Sequence, residues 1–141
     1  MTNSAIRWGL AALATLLAEI ALIALSILCV AVYSYTIHTG ETQEFYEAFA
    51  RVSGPWVSLI AGGPVFFLIA RWIRRRAQSA AFATATAMVG LYFAIEIAVL
   101  LLWTGDTSGA IPFMIGGFVL KVAGAWLGAG GAASDSLAKT A

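Results

Sequence analysis

The chain has 141 residues, of which 61% are hydrophobic and only 11% charged, with a mean hydropathy of +0.90 and a net charge of +1. A surface exposed to water needs more charged residues than this. The composition therefore predicts one integral membrane domain over residues 1–141. The balanced charge argues against nucleic acid as a partner, since that surface needs a basic stripe. The single cysteine, Cys29, excludes an internal disulfide and a multi-cysteine metal site.

Four apolar stretches are each long enough for a bilayer core, which needs about 20 residues per helix. They cover about 8–35, 55–73, 80–103 and 110–132. The first contains Glu19 and is about twice as long as the core of a signal peptide, so we expect a retained helix. Gly54 and Pro55 suit the cap and first turn of the second helix.

The segment between the first two spans has a helical pattern of its own. Phe45, Phe49 and Val52 recur at helical spacing within "GETQEFYEAFARVSG". This predicts a short amphipathic helix at about 42–52, lying on the outer surface of the membrane. Such a helix either caps the bundle or acts as a lid or docking site.

The orientation follows from the sequence "RWIRRR" between the second and third spans. Loops rich in arginine face the cytoplasm, where they also meet anionic lipid head groups. The predicted fold is therefore an all-α, integral membrane four-helix bundle with both termini cytoplasmic. We expect it in the bacterial cytoplasmic (inner) membrane as a multi-pass protein. The arginines of this basic cluster are Arg71, Arg74, Arg75 and Arg76.

Three ionisable residues lie inside the spans: Glu19, Glu96 and Lys121. A charge at the centre of a membrane helix costs about 2.5 to 3.5 kcal/mol, and such residues mark functional sites by default. Counting the helical rise from the span ends places Glu19 and Lys121 near the midplane, each at a depth of roughly 15 Å. Glu96 lies about 10 Å from its span end, one turn after Tyr92. Depth therefore favours Glu19 as the partner of Lys121 and leaves Glu96 as the unpaired acid.

Lys121 lies on a face of small residues in the fourth span. Glycines four and three positions apart form one helical stripe, and such stripes let neighbouring backbones approach closely. The polar side of the first span, around Thr15 and Glu19, is the expected partner of this stripe. The glycines of the stripe on the fourth span are Gly117, Gly124, Gly128 and Gly131.

The second span contains Gly62, Gly63 and Pro64. The proline removes a backbone hydrogen bond and the glycines permit a bend, so a kink is expected here. Broken helices line ion and substrate sites in transporters, although glycine and proline are also ordinary residues of membrane spans.

The buried charges leave two interpretations open. One is a structural ion pair that fixes how the helices pack. The other is a site where Glu19, Glu96, Lys121 and Tyr92 bind a cation or a proton, because an acid without a partner loses its charge readily in an apolar setting. No catalytic motif is present, no cofactor or metal is expected, and the single histidine, His38, rules out bis-histidine haem ligation within one chain.

The plan resembles the small four-helix efflux proteins, on the strength of "LAEI" with Glu19 in the middle of the first helix. The resemblance implies a homodimer in which this glutamate exchanges protons for a cationic drug. Lys121 has no counterpart in that plan. The first hypothesis is a proton-linked or ion-linked transporter, and its expected partners are a second copy of the chain and the lipid bilayer. The alternatives are a non-catalytic accessory or assembly subunit that docks on a partner membrane protein, and a stress or immunity protein.

Overall fold

The computed structural model describes residues 5–102, 109 and 111–130. In that part of the chain the regular elements are all helical, as the composition predicted. They are α1 (Trp8–Thr36), α2 (Gln43–Ala77), α3 (Ala81–Leu102) and α4 (Ile111–Gly130), with a 3₁₀ turn at Gln78–Ala80 between α2 and α3. Helices α1, α3 and α4 each overlap one apolar stretch, and the predicted span ends at 103, 110 and 132 lie outside the described residues.

Three helical stretches, 8–36, 43–102 and 111–130, are long and apolar enough to cross a membrane. The second of them joins α2, the 3₁₀ turn and α3 in one run. Large apolar side chains cover the outside of the helices, among them Ile20 of α1 and Leu127 of α4, which are 62% and 70% exposed. A surface of this kind is stable against lipid and not against water, so the structure agrees with a membrane protein.

The run from α2 to α3 folds back on itself at Gln78. The backbone φ of this residue is +44°, in the left-handed region, and its N–H donates to the carbonyl of Arg74. Phe66 and Tyr92, about equally far before and after the turn, pack edge to face with ring centroids 4.9 Å apart. The two helices therefore run antiparallel.

The largest helix–helix interface joins α2 and α4, which run in the same direction. A Cβ built on Gly124 would collide with the carbonyl oxygen of Gly63, and one built on Gly128 would collide with that of Phe67. The glycine stripe of α4 therefore packs directly on the backbone of α2. The expectation that it packs on α1 is wrong, and Gly131 lies outside the described residues.

The predicted outer helix is not a separate element. Helix α2 begins at Gln43, where the Thr42 side chain accepts a hydrogen bond from the backbone N–H of Phe45, and it continues through Gly54 and Pro55. These two residues therefore lie inside the helix and do not cap it. Membrane helices tolerate an internal proline when neighbouring groups compensate for the lost bond.

An aromatic contact holds the first turns of α2 against the end of α1. The rings of Tyr33 and Phe49 stack with centroids 3.7 Å apart and planes 5° from parallel. The Tyr46 hydroxyl donates to the carbonyl of His38 and accepts from the N–H of Glu41, which ties down the connection between the helices. These contacts hold the first turns of α2 against the end of α1.

The two ends of α2 carry opposite charges. We call the beginning, with Glu41, Glu44 and Glu47 nearby, the acidic end. We call the other end the arginine end, because it carries the basic cluster of residues 71–76. There Arg7, just before α1, donates from Nη1 to the carbonyl of Arg76 at 2.6 Å. The basic residues also suit the partial negative charge at the C-terminus of α2.

Candidate functional site

Lys121 is buried at the interface of α2 and α4, with 2% of its surface exposed. The helical spacing places it on the same face as Gly117 and Gly124, and both glycines are buried as well. Its methylene stem lies against Gly62 of α2, where a Cβ would stand 3.0 Å from the Cγ and Cε atoms. The absence of a side chain at residue 62 therefore gives the lysine its path through the interface.

The direct partner of Lys121 is Glu96 of α3. The distance from Nζ to Oε1 is 2.6 Å, which is short even for a charge-assisted hydrogen bond. The depth argument, which paired Lys121 with Glu19 and left Glu96 alone, is wrong on this point. Equal depth along separate helices does not ensure proximity, and the long lysine side chain reaches the acid that lies closer to the acidic end.

Tyr92 completes the coordination of the lysine. Its hydroxyl accepts from Nζ at 3.3 Å, and Nζ lies 4.4 Å from the centroid of its ring. Glu96 lies one turn further along α3, so both side chains reach the lysine from the same helix. An ammonium group over an aromatic face gains a cation–π attraction that is stronger where water is excluded.

Glu19 belongs to the same electrostatic cluster without contacting the lysine directly. It lies on α1, is partly buried, and is close enough to interact with the charges of Glu96 and Lys121. The cluster thus holds two acids, Glu19 and Glu96, and one base, Lys121. The Glu96 carboxylate is hydrogen-bonded to Lys121, whereas the Glu19 carboxylate interacts with the charge of Lys121 over a longer distance.

One carboxylate oxygen of Glu96 has unmet hydrogen-bonding capacity. Within the described structure Oε2 is buried and has no hydrogen-bond partner. Leaving a buried charged acceptor unsatisfied costs more than leaving a neutral one, so such an atom calls for a ligand or water.

A cavity of about 200 Å³ adjoins Glu96 and Lys121. It lies between the first half of α2 and the beginning of α4, toward the acidic end. Its other lining residues are Gly54, Pro55, Ser58, Phe113 and Met114. The sequence analysis missed these residues. Ser58 could have been found from its position one turn before Gly62, which puts both on the helix face that meets Lys121.

The glycines and the proline of the predicted kink, residues 62–64, lie on different sides of α2. Gly62 and Gly63 face α4, where a Cβ on Gly63 would meet the carbonyl of Leu120 at 3.4 Å. Pro64 is exposed on the outside of α2, and the helix continues through it. The glycines therefore serve close helix packing, and only Gly62 touches the charged cluster.

We expect Gly62→Ala to disturb the cluster without unfolding the protein. The added methyl group would press on the lysine stem, which can shift because it is flexible, at a cost of about 1 kcal/mol for overpacking. Thermal unfolding of the purified protein measures the effect. Gly54→Ala on the same helix is the control, since its Cβ would meet nothing within 4 Å. Equal unfolding temperatures for both variants would contradict the contact.

Among the residues that the structure describes, there is no group of three or more His, Cys, Asp or Glu side chains that could hold a metal ion. Comparisons with protein-family models, curated proteins and solved structures gave no match to this chain.

Proposed function

We propose that the protein is a small multi-pass transporter of the bacterial cytoplasmic membrane, built as a four-helix bundle with both termini in the cytoplasm. The fold-back at Gln78 would let α2 and α3 cross separately, so that four crossings arise from three apolar stretches. The five arginines at one end, including Arg7, favour that end as the cytoplasmic one. At 35 residues α2 is about 52 Å long, so its first turns would stand outside a core of about 30 Å.

Transport in this proposal is proton-linked or ion-linked and uses Glu96, Lys121, Tyr92 and Glu19. The observation that supports it best is the buried Oε2 atom of Glu96, which lacks a partner although Oε1 is paired with Lys121. A purely structural pair would be more stable with both oxygens satisfied. An acceptor left open beside a cavity is what a site for a passing proton or ion requires.

The small volume of the cavity favours a homodimer as the transporting unit. Pockets for drug-sized ligands measure roughly 300 to 1,000 Å³, so about 200 Å³ within one chain would not hold a large substrate. A homodimer would supply a larger shared path, and α1 offers an exposed apolar ridge for a second copy. Ile20, Ile23 and Ile27 belong to this ridge.

The competing proposal is an accessory or assembly subunit of a larger membrane complex. The ion pair would then be structural, and the ridge on α1 would dock on the partner membrane protein. The glycine face of α4 is not available for that role, because α2 of the same chain covers it.

Proton uptake into proteoliposomes tests the transporter proposal. Vesicles carrying a trapped pH-sensitive dye would receive an inward proton gradient, with potassium movement balancing the charge. We expect uptake above that of protein-free vesicles, and at least a tenfold loss in Glu96→Gln. Glu19→Gln should lose activity to a smaller extent, because Glu19 does not contact Lys121. If wild type moves no protons and the variants differ in stability only, the transporter proposal fails and the structural pair stands.

A further inference from the structure

We propose that Oε2 of Glu96 is the atom that takes up a proton, delivered by water in the cavity between α2, α3 and α4. This inference rests on the proposed function and makes it more specific, because it chooses a proton over a metal ion and Glu96 over Glu19. It also identifies the acidic end as the side from which the proton arrives.

The polar groups around the cavity select what can bind there. Oε2 of Glu96 is an open acceptor, and the Ser58 hydroxyl can accept or donate. Lys121 also lines the cavity, but its ammonium group is paired with Oε1 of Glu96, and Phe113 and Met114 bring no charge. An anion would be repelled by the carboxylate, so the ligand must donate hydrogen bonds or carry positive charge.

A metal cation fits this lining less well than a proton. Hard cations take about six oxygen ligands, whereas the side chains of the lining supply Glu96 and Ser58. The Lys121 ammonium group lies 2.6 Å from Oε1, so it would also repel a second full charge held on the same carboxylate. A proton needs only one acceptor, and the open Oε2 atom supplies it.

The cavity can deliver that proton. Its volume of about 200 Å³ corresponds to several water molecules at about 30 Å³ each. Hydronium in this water would transfer its proton to Oε2 and leave as water, which forms the neutral carboxylic acid. No other reactant is needed.

The charges around Glu96 determine how its protonation would affect the other helices. Glu96 is faced by Lys121 from α4, by Glu19 from α1, by Tyr92 on its own helix and by the Ser58 hydroxyl from α2. Once Glu96 is neutral, it no longer balances the charge of Lys121. The remaining carboxylate of the cluster is Glu19, so Lys121 would then interact more strongly with α1. Loading from the acidic end would in this way strengthen the attraction between Lys121 of α4 and Glu19 of α1.

Labelling of the wild-type protein with a hydrophobic carbodiimide tests which acid takes the proton, because this reagent reacts with protonated carboxyl groups in apolar surroundings. We expect the adduct on Glu96, located by peptide mass spectrometry, to increase at least fivefold as the pH is lowered, and to exceed that on Glu19. Sodium or lithium chloride should give no protection. Labelling of Glu19 without Glu96, or protection of Glu96 by either salt, overturns the proposal.

Cysteine accessibility tests the water in the cavity separately. In a Cys29→Ala background, Ser58→Cys should react with a charged thiol reagent applied to both sides of the reconstituted membrane. Ile60→Cys is the matched control, since Ile60 lies two residues away and is 69% exposed on the outside of α2, where lipid would cover it. Equal and slow reaction of both thiols would show a dry cavity and overturn the proposal. Labelling of Glu96 without any proton flux would instead refute transport and leave proton binding intact.

Discussion

Replacing Lys121 with methionine is expected to lower the free energy of unfolding by about 3 kcal/mol. The substitution removes the base from a buried pair and leaves the Glu96 carboxylate without compensation, which costs about 3 to 5 kcal/mol in protein interiors. The lower value of this cost is expected because the Glu96 side chain is 20% exposed, against 2% for that of Lys121, so its carboxylate is less fully desolvated. Chemical denaturation in mixed micelles measures the difference.

The double variant Lys121→Met with Glu96→Gln is the control for this prediction. It removes both charges while keeping similar side-chain volumes, and neutralised pairs are often as stable as the charged ones. We expect it to recover most of the stability that the single variant loses. Equal destabilisation of the single and double variants would mean that packing of the lysine stem, and not its charge, supports the interface.

Replacing Gly124 with alanine is expected to disrupt the interface of α2 and α4. The new methyl group would collide with the carbonyl oxygen of Gly63 and press on its carbonyl carbon, and backbone atoms cannot move aside as a flexible side chain can. Overpacking typically costs about 1 to 3 kcal/mol, and the upper end is expected here. A large fall in the unfolding temperature, or loss of folded protein on expression, measures the effect.

Gly90→Ala provides the matched comparison on another membrane helix. Gly90 lies inside α3, and a Cβ there would meet nothing within 4 Å. Because alanine favours helix more than glycine does, this variant should be neutral or slightly more stable. If Gly90→Ala and Gly124→Ala unfold at the same temperature, close backbone packing at Gly124 is not what holds the two helices together.

The sequence was sufficient to predict the class of the fold and the unusual face of the last helix. Apolar length and composition indicate membrane helices because lipid imposes strict limits on both. Helical spacing placed Lys121 with Gly117, Gly124 and Gly128, and all four are buried in the structure. These are properties of single helices, which the local sequence determines.

The sequence did not reveal which helices meet. A stripe of glycines shows that some backbone approaches closely, but it does not identify α2 as that neighbour. Depth arithmetic likewise treats each span as ending in the same plane and ignores the reach of a lysine side chain, so it chose Glu19 over Glu96. The continuation of α2 through Pro55 was missed because a glycine followed by a proline is typical of a helix start, whereas here both residues lie inside the helix.

The cavity beside Glu96 is a property of the packed helices. Its walls come from α2, α3 and α4, and residues such as Ser58 and Met114 are unremarkable in the sequence. The unpaired Oε2 atom also cannot be predicted from the sequence, because it depends on which carboxylate Lys121 binds. The charged residues can therefore be identified from the sequence, whereas the cavity beside them cannot.

Proton uptake by the double variant Lys121→Met with Glu96→Gln tests the central claim most directly, because it separates function from stability. In proteoliposomes under an inward proton gradient, we expect this variant to be folded like the wild type and to take up protons no faster than protein-free vesicles do. Wild-type uptake by the neutral double variant would contradict the account, since the Glu96–Lys121 pair would then hold the helices together and take no part in transport.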